Sequence, residues 1–127
     1  MTERNKAIVR RLVEEVIGRG RIEVLSEILA PHYVAHLAFG DHFGPEGLQI
    51  EIDTLRTAFP DLTVTLDDLV ADGDRVARRY TVRGTQVGPL YGHRPSGRPA
   101  ILRGLAIDRL AAGRIVESWI GLDVPRP

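Results

Sequence analysis

Near the C-terminus the residues alternate in two sets: Glu117, Trp119, Gly121 and Asp123 project to one face of a strand, and Val116, Ile120 and Leu122 to the other. Both faces carry apolar groups, so both cannot be solvent. A carboxylate walled by apolar groups is tuned toward the working range of a general acid or base. Asp123 has the residue type for that chemistry. The same aspartate also suits a plain solvated carboxylate or an ion pair with Arg78 or Arg126. His36, in the segment HYVAH, can donate a hydrogen bond to a developing enolate, or pack against Tyr33 and bond a backbone carbonyl. His32 and His36 have the four-residue spacing of a helical metal pair. Pro31 and the loss of helical periodicity argue against a metal there, and no third ligand stands out.

Arg78 interrupts the apolar face formed by Val76, Tyr80 and Val82. Either it lays its stem on the sheet edge, or it is a buried partner of Asp108 or Asp123. A guanidinium between two carboxylates can orient a water and protonate an epoxide oxygen. Tyr33, Phe39, Phe59, Tyr80, Tyr91 and Trp119 are most of the aromatic residues of the chain. Singly each reads as core packing; together they suit the wall of a cavity for a flat ligand.

These groups have to be positioned by a small number of elements. Ile8, Val9, Leu12, Val13, Val16 and Ile17 recur at helical spacing before Gly18 and Gly20, and predict a helix of about four turns. Ile22, Leu25, Ile28 and Leu29 predict a shorter helix that ends near Pro31. A third starts at Pro45, carries Leu48, Ile52, Leu55 and Phe59, and stops at Pro60 and Asp61. From Leu62 the period changes to two. Strands are expected over Leu62 to Asp72, Arg75 to Thr85, Pro99 to Leu110 and Arg114 to Val124. Asp72-Gly73-Asp74 and Ala111-Ala112-Gly113 supply turns, and the glycine- and proline-rich stretch from Gln86 to Gly97 a loop. Helices followed by an antiparallel meander imply an α+β fold with the helices on one face of the sheet.

Composition narrows the function classes. A chain of 127 residues that is 43% hydrophobic is read as a single domain, 1-127, with one core. Seventeen Lys plus Arg balance 17 Asp plus Glu, which gives no pull toward nucleic acid or an anionic membrane. Cysteine is absent, excluding disulfides, thiolate zinc sites and a cysteine nucleophile. MTERNKAIVRRLVEEV lacks the apolar run of a signal peptide, and the composition fits a cytoplasmic protein.

The succession RRLVEEVIGRG, IEVLSEILAPHYVAH, GPEGL, AFPDLTVTLDDLVADGDRVARRYTVRGT, GHRPSGRPAILRG and AAGRIVESWIGLD, from about residue 5 to 124, resembles the SnoaL-like polyketide cyclases. The resemblance implies the nuclear-transport-factor-2-like superfamily: three helices on a strongly curved, mainly antiparallel sheet, a cystatin-like cone around a pocket. It places the Trp119 and Asp123 face on the pocket and equates Asp123 with the cyclases' general acid/base, with His36 also pointing inward. Where family members read PTG and EHW, this chain reads Pro95-Ser96-Gly97 and Glu117-Ser118-Trp119. On the penultimate strand a polar residue followed by an aromatic is replaced by Ala106 with Asp108.

The expected activity is therefore intramolecular aldol closure of a hydrophobic polyketide, by acid/base chemistry with no metal or organic cofactor. Asp123 and His36 are the expected catalytic groups. Trp119, Tyr33, Phe39, Phe59, Tyr80, Arg78 and Asp108 are the expected substrate contacts. Two alternatives stay open: a small-molecule binding protein without turnover, and an epoxide hydrolase or ketosteroid-isomerase-like enzyme. The epoxide hydrolase requires Arg78 between two aspartates, as in the limonene-epoxide hydrolases. A homodimer is expected from the apolar excess of Ile101, Leu105, Ile107, Ile115 and Ile120.

Overall fold

The change of period at Leu62 marks the meander of the structure, a computed structural model that describes residues 2–123. Strands β3 (Thr63–Asp72), β4 (Arg75–Thr85), β5 (Pro99–Ala111) and β6 (Arg114–Asp123) follow one another as antiparallel neighbours. Gly73 and Gly113, at φ +59° and +77°, provide the left-handed geometry that their tight turns need.

Two further strands come earlier in the chain. β1 (Leu29–Leu37) begins where the second helix was expected to continue, and β2 (Gly40–Phe43) folds back on it. β1 runs parallel to β6, so the six strands lie in the order β2-β1-β6-β5-β4-β3 in one curved, open sheet. Leu29 pairs with Ile115 and Val34 with Glu117, so the register slips between them, around Pro31. A proline within a strand is tolerated at such an irregularity, where its missing N–H breaks no ladder bond.

Helix α1 (Thr2–Arg11) carries Glu3 in its first turn and Arg10 and Arg11 in its last, matching the helix dipole. It continues as a π-helical stretch, Leu12–Ile17, whose last carbonyls are capped from α3: Arg56 Nη1 donates to Ile17 O at 2.7 Å and Gly18 O at 3.1 Å. A short 3-10 turn, Ile22–Val24, leads into α2 (Leu25–Ile28). α3 (Gly44–Ala58) has Pro45 in its first turn, and Leu48, Ile52 and Leu55 make its buried stripe.

The helices cover one face of the sheet. Val9, Leu12, Val13 and Val16 pack with Tyr33 and Ala35 of β1, Val76, Tyr80 and Val82 of β4, and Leu102 and Leu110 of β5. Strand alternation then assigns every other residue to the opposite, uncovered face. Along β5, Leu102, Gly104, Ala106, Asp108 and Leu110 are buried, while Ile101, Arg103, Leu105 and Ile107 are exposed. Among the described residues no helix is long and apolar enough to cross a membrane.

Candidate functional site

Between the helices and the inner sheet face lies a cavity of about 200 Å³. Leu12 and Ile17 line it from the π-helical stretch, Leu48, Ile52 and Leu55 from α3, and Ile120 and Leu122 from β6. Its polar lining is sparse: Arg78 and Tyr80 on the sheet side, Glu51 on α3, and Tyr91 and His93 from the loop after β4. Phe39, 57% exposed, brings the cavity to the surface.

Arg78 is the unusual wall residue, since its side chain is 1% exposed. Its Nε donates to Asp108 Oδ2 at 2.8 Å and its Nη2 to Oδ1 at 3.3 Å, a forked pairing that the guanidinium shape favours. Ser118 Oγ donates to the same Asp108 Oδ1. Register explains the meeting: Asp108 stands between Val76 on β4 and Ser118 on β6, and Arg78 is the next inward residue along β4. Burial acts to lower the basicity of Arg78, but the charge of Asp108, its hydrogen bond and the neighbouring Tyr80 and Tyr33 together outweigh it and hold the guanidinium protonated, above its ordinary range. One nitrogen, Nη1, is buried with no partner among the described residues. Tyr33 OH, close to the same charges, is also buried without a partner among the described residues, and burial pushes its phenol above the usual tyrosine range.

Tyr80 leans across Gly104, where any Cβ would collide with its ring, and Arg78 Cζ lies 5.2 Å from the Tyr80 ring centroid. Glycine at 104 thus gives Tyr80 room to form the wall.

The second polar group of the cavity is centred on Glu51, whose side chain is 11% exposed. Tyr91 OH donates to Glu51 Oε2 at 2.8 Å, and His42 Nε2 of β2 lies 3.1 Å from Oε1. Burial first, then the bond to Glu51, raises the Tyr91 phenol above its normal range. Tyr91 sits at φ +47° in a tight turn closed by two hydrogen bonds between Leu90 and His93, at 3.0 and 2.8 Å. A left-handed non-glycine residue costs on the order of 1–2 kcal/mol.

Three expectations about placement are corrected. Asp123 and Trp119 lie on the outer face of β6, exposed; the inner residues of that strand are Ser118, Ile120 and Leu122. His36 also faces outward, because Tyr33, Ala35 and Leu37 take the inner positions of β1. It stacks on Trp119 at 5.5 Å between centroids, with Nδ1 2.9 Å from Asp41 and Nε2 2.7 Å from Glu117. Phe59 is core, 1% exposed, and does not line the cavity. Phe39, Tyr80 and Arg78 do line it, and Asp108 and Tyr33 stand buried beside Arg78. Among the described residues Arg78 pairs with Asp108 alone, so the arrangement with Asp108 and Asp123 on either side does not form. Arg126, the other partner considered for Asp123, lies outside the described residues. Of the expected dimer residues, Ile115 is core and Ile120 lines the cavity, whereas Ile101, Leu105 and Ile107 are exposed on the outer face.

Glu51, His42 and His93 were not singled out from the sequence. A signal was there for Glu51, because positions 48, 51, 52 and 55 share one helix face and a glutamate interrupts that apolar stripe.

A family profile described as SnoaL-like polyketide cyclase matches residues 7–125. Among solved structures, the proposed SnoaL-like polyketide cyclase of Jannaschia sp. CCS1 is 25% identical, with a TM-score of 0.88 over 97% of this chain and 88% of that one. IdmH of Streptomyces antibioticus, a proposed polyketide cyclase, is 33% identical, with a TM-score of 0.80 over 94% of this chain and 91% of its own. AclR of Streptomyces galilaeus, a proposed hydroxylase, shares the fold at 23% identity and a TM-score of 0.84, covering 98% and 81%. Among curated proteins none matches the sequence.

Proposed function

The chain belongs to the SnoaL-like polyketide cyclase family, and from that premise we propose that it closes a ring in an apolar, carbonyl-bearing polyketide-type substrate by acid/base chemistry in the cavity. One observation carries the reading: Arg78 reaches the wall of a mainly apolar cavity with Nη1 buried and unpaired. A buried donor without a partner is costly, and a carbonyl oxygen of the ligand would satisfy it. Asp108 balances the guanidinium charge, so the favoured occupant is a neutral carbonyl that becomes an enolate, not a permanent anion. A donor already in place stabilises charge as it develops.

The test uses alizarin, a flat aromatic diketone. Replacing the pair together, Arg78→Met with Asp108→Leu, avoids stranding one buried charge and keeps the fold. A hydrogen bond to a charged group contributes about 1.5–3 kcal/mol, so the dissociation constant of alizarin should rise roughly 10- to 150-fold. Unchanged affinity in a folded double variant removes Arg78 from recognition.

A second reading, binding without turnover, is favoured by Asp123, which is exposed and faces away from the cavity. It holds unless another group serves as base.

The assembly belongs to the same proposal. Ile101, Leu105, Ile107 and Trp119, between 39% and 60% exposed, make an apolar band on the outer sheet face that suits a second copy of the chain. Sedimentation should give a dimer at micromolar concentration and a monomer for Leu105→Glu. A monomeric unmodified protein under those conditions discards the dimer.

A further inference from the structure

We propose that Glu51 is the base of the cavity, with Tyr91 and His42 as the residues that position it. This rests on the carbonyl-substrate reading above and supplies the proton acceptor that Asp123 cannot.

Glu51 is the only carboxylate lining the cavity among the described residues. Its two oxygens meet different elements: Oε2 accepts from Tyr91 of the loop after β4, and Oε1 lies 3.1 Å from His42 Nε2 of β2. A carboxylate bonded at one oxygen and faced by an imidazole at the other is restricted in direction, and each oxygen keeps a further lone pair for a proton. The surrounding backbone is shaped to the same end. Gly47, one turn before Glu51 on α3, lies so close to His42 that a Cβ there would sit 3.1 Å from the His42 Cβ, which lets β2 approach the helix. Tyr91 is in left-handed geometry, unfavourable for tyrosine, in the tight turn that carries its hydroxyl to Glu51 and its ring to 4.9 Å from Phe39. Strained backbone held by its surroundings is characteristic of functional positions.

The chemistry balances without a further reactant. The C–H bond α to a carbonyl breaks, the proton goes to a Glu51 oxygen, and the electron pair becomes the enolate whose oxygen Arg78 Nη1 receives. The enolate carbon attacks the second carbonyl carbon, and the proton on Glu51 passes to the new alkoxide oxygen. Glu51 ends as the carboxylate it began.

The first half of this sequence can be read with β-tetralone, an apolar ketone whose benzylic methylene is α to the carbonyl, by following hydrogen–deuterium exchange in heavy water by NMR. The unmodified protein should accelerate exchange over buffer. Glu51→Gln should lose roughly 100- to 1,000-fold of that acceleration while alizarin still binds and the melting curve is kept. Glu51→Asp retains a carboxylate and should keep part of the rate. Tyr91→Phe, which removes only the positioning hydroxyl, should lower kcat several-fold at unchanged KM. Exchange that is no faster than in buffer, or full acceleration in a folded Glu51→Gln, overturns the proposal and leaves the carbonyl-binding cavity standing. If the unmodified protein takes up neither alizarin nor β-tetralone, the cavity reading falls first and this one with it.

Discussion

The two faces of strands β5 and β6 hold the same kinds of groups one residue apart and put them to different use. On the inner face Arg78, Asp108 and Ser118 form a network whose charged side chains are 1% and 0% exposed. On the outer face Arg109, Glu117, His36 and Asp41 form another, with exposures of 35%, 25%, 30% and 47%. Both join a carboxylate to a cation at hydrogen-bonding distance. Burial separates them. In water a charge that loses its partner is resolvated, so exposed pairs contribute little. Inside, the same loss strands an ion in a low-dielectric surround.

The largest effect expected from that contrast is on Asp108. Asp108→Ala leaves the Arg78 guanidinium buried and uncompensated, which should destabilise the fold by about 3–5 kcal/mol. For a domain of this size that lowers the melting temperature on the order of 10–20 °C. Asp123→Asn, at the exposed end of β6 opposite Arg103, should leave the melting curve where it was. Thermal unfolding of the two variants side by side measures the difference between the faces. If the Asp123 variant melts as early as the Asp108 variant, the outward placement of Asp123 is wrong.

How much of this was readable beforehand follows from the same alternation. The helices and the four strands after Leu62 were legible because apolar residues recur there at periods near 3.6 or 2. Arg78 stood out as a charge on an otherwise apolar face and Asp108 as a departure from the family pattern, and their pairing was among the options the sequence left open. The orientation of β6 was not legible. Trp119 on one face and Ile120 with Leu122 on the other make both faces apolar, and periodicity does not say which apolar face is covered by helices. Resemblance to the family chose the wrong one. β1 was hidden for a different reason: Pro31 sits at its register slip, so the segment reads as a helix end followed by a loop, and His36 had no strand to give it a side. Two of the departures from family motifs, Ser118 and Asp108, prove to be hydrogen-bonded partners in the structure, a correlation that only strand register exposes.

The smallest expected effect lies in the outer network, where it is one of proton affinity. His36 faces Glu117 on β6 and Asp41 on β2, and Arg109 of β5 shares Glu117. The hydrogen bond to Glu117, then that to Asp41, raises the imidazole above its ordinary 6.5. His36 in turn holds the Glu117 carboxyl below its ordinary 4.5, with Arg109 adding to the shift. A raised histidine stabilises the fold fully below pH 6.5, and that contribution is lost as pH rises through its folded value. A lowered glutamate stabilises above pH 4.5 and loses its contribution as pH falls through its own folded value. The pair is therefore strongest in the window from 4.5 to 6.5; its contribution is lost above it as the histidine deprotonates and below it as the glutamate is protonated. An NMR titration of the His36 ring proton should show a midpoint above 6.5, and Glu117→Gln should move it down toward that value because the first of its two partners is gone. The inner network should not notice: alizarin affinity should be flat across the same pH range in the Glu117 variant relative to the unmodified protein. A His36 midpoint that ignores Glu117→Gln would mean that the outer contacts do not persist in solution, and the contrast between the two faces would then rest on the inner pair alone.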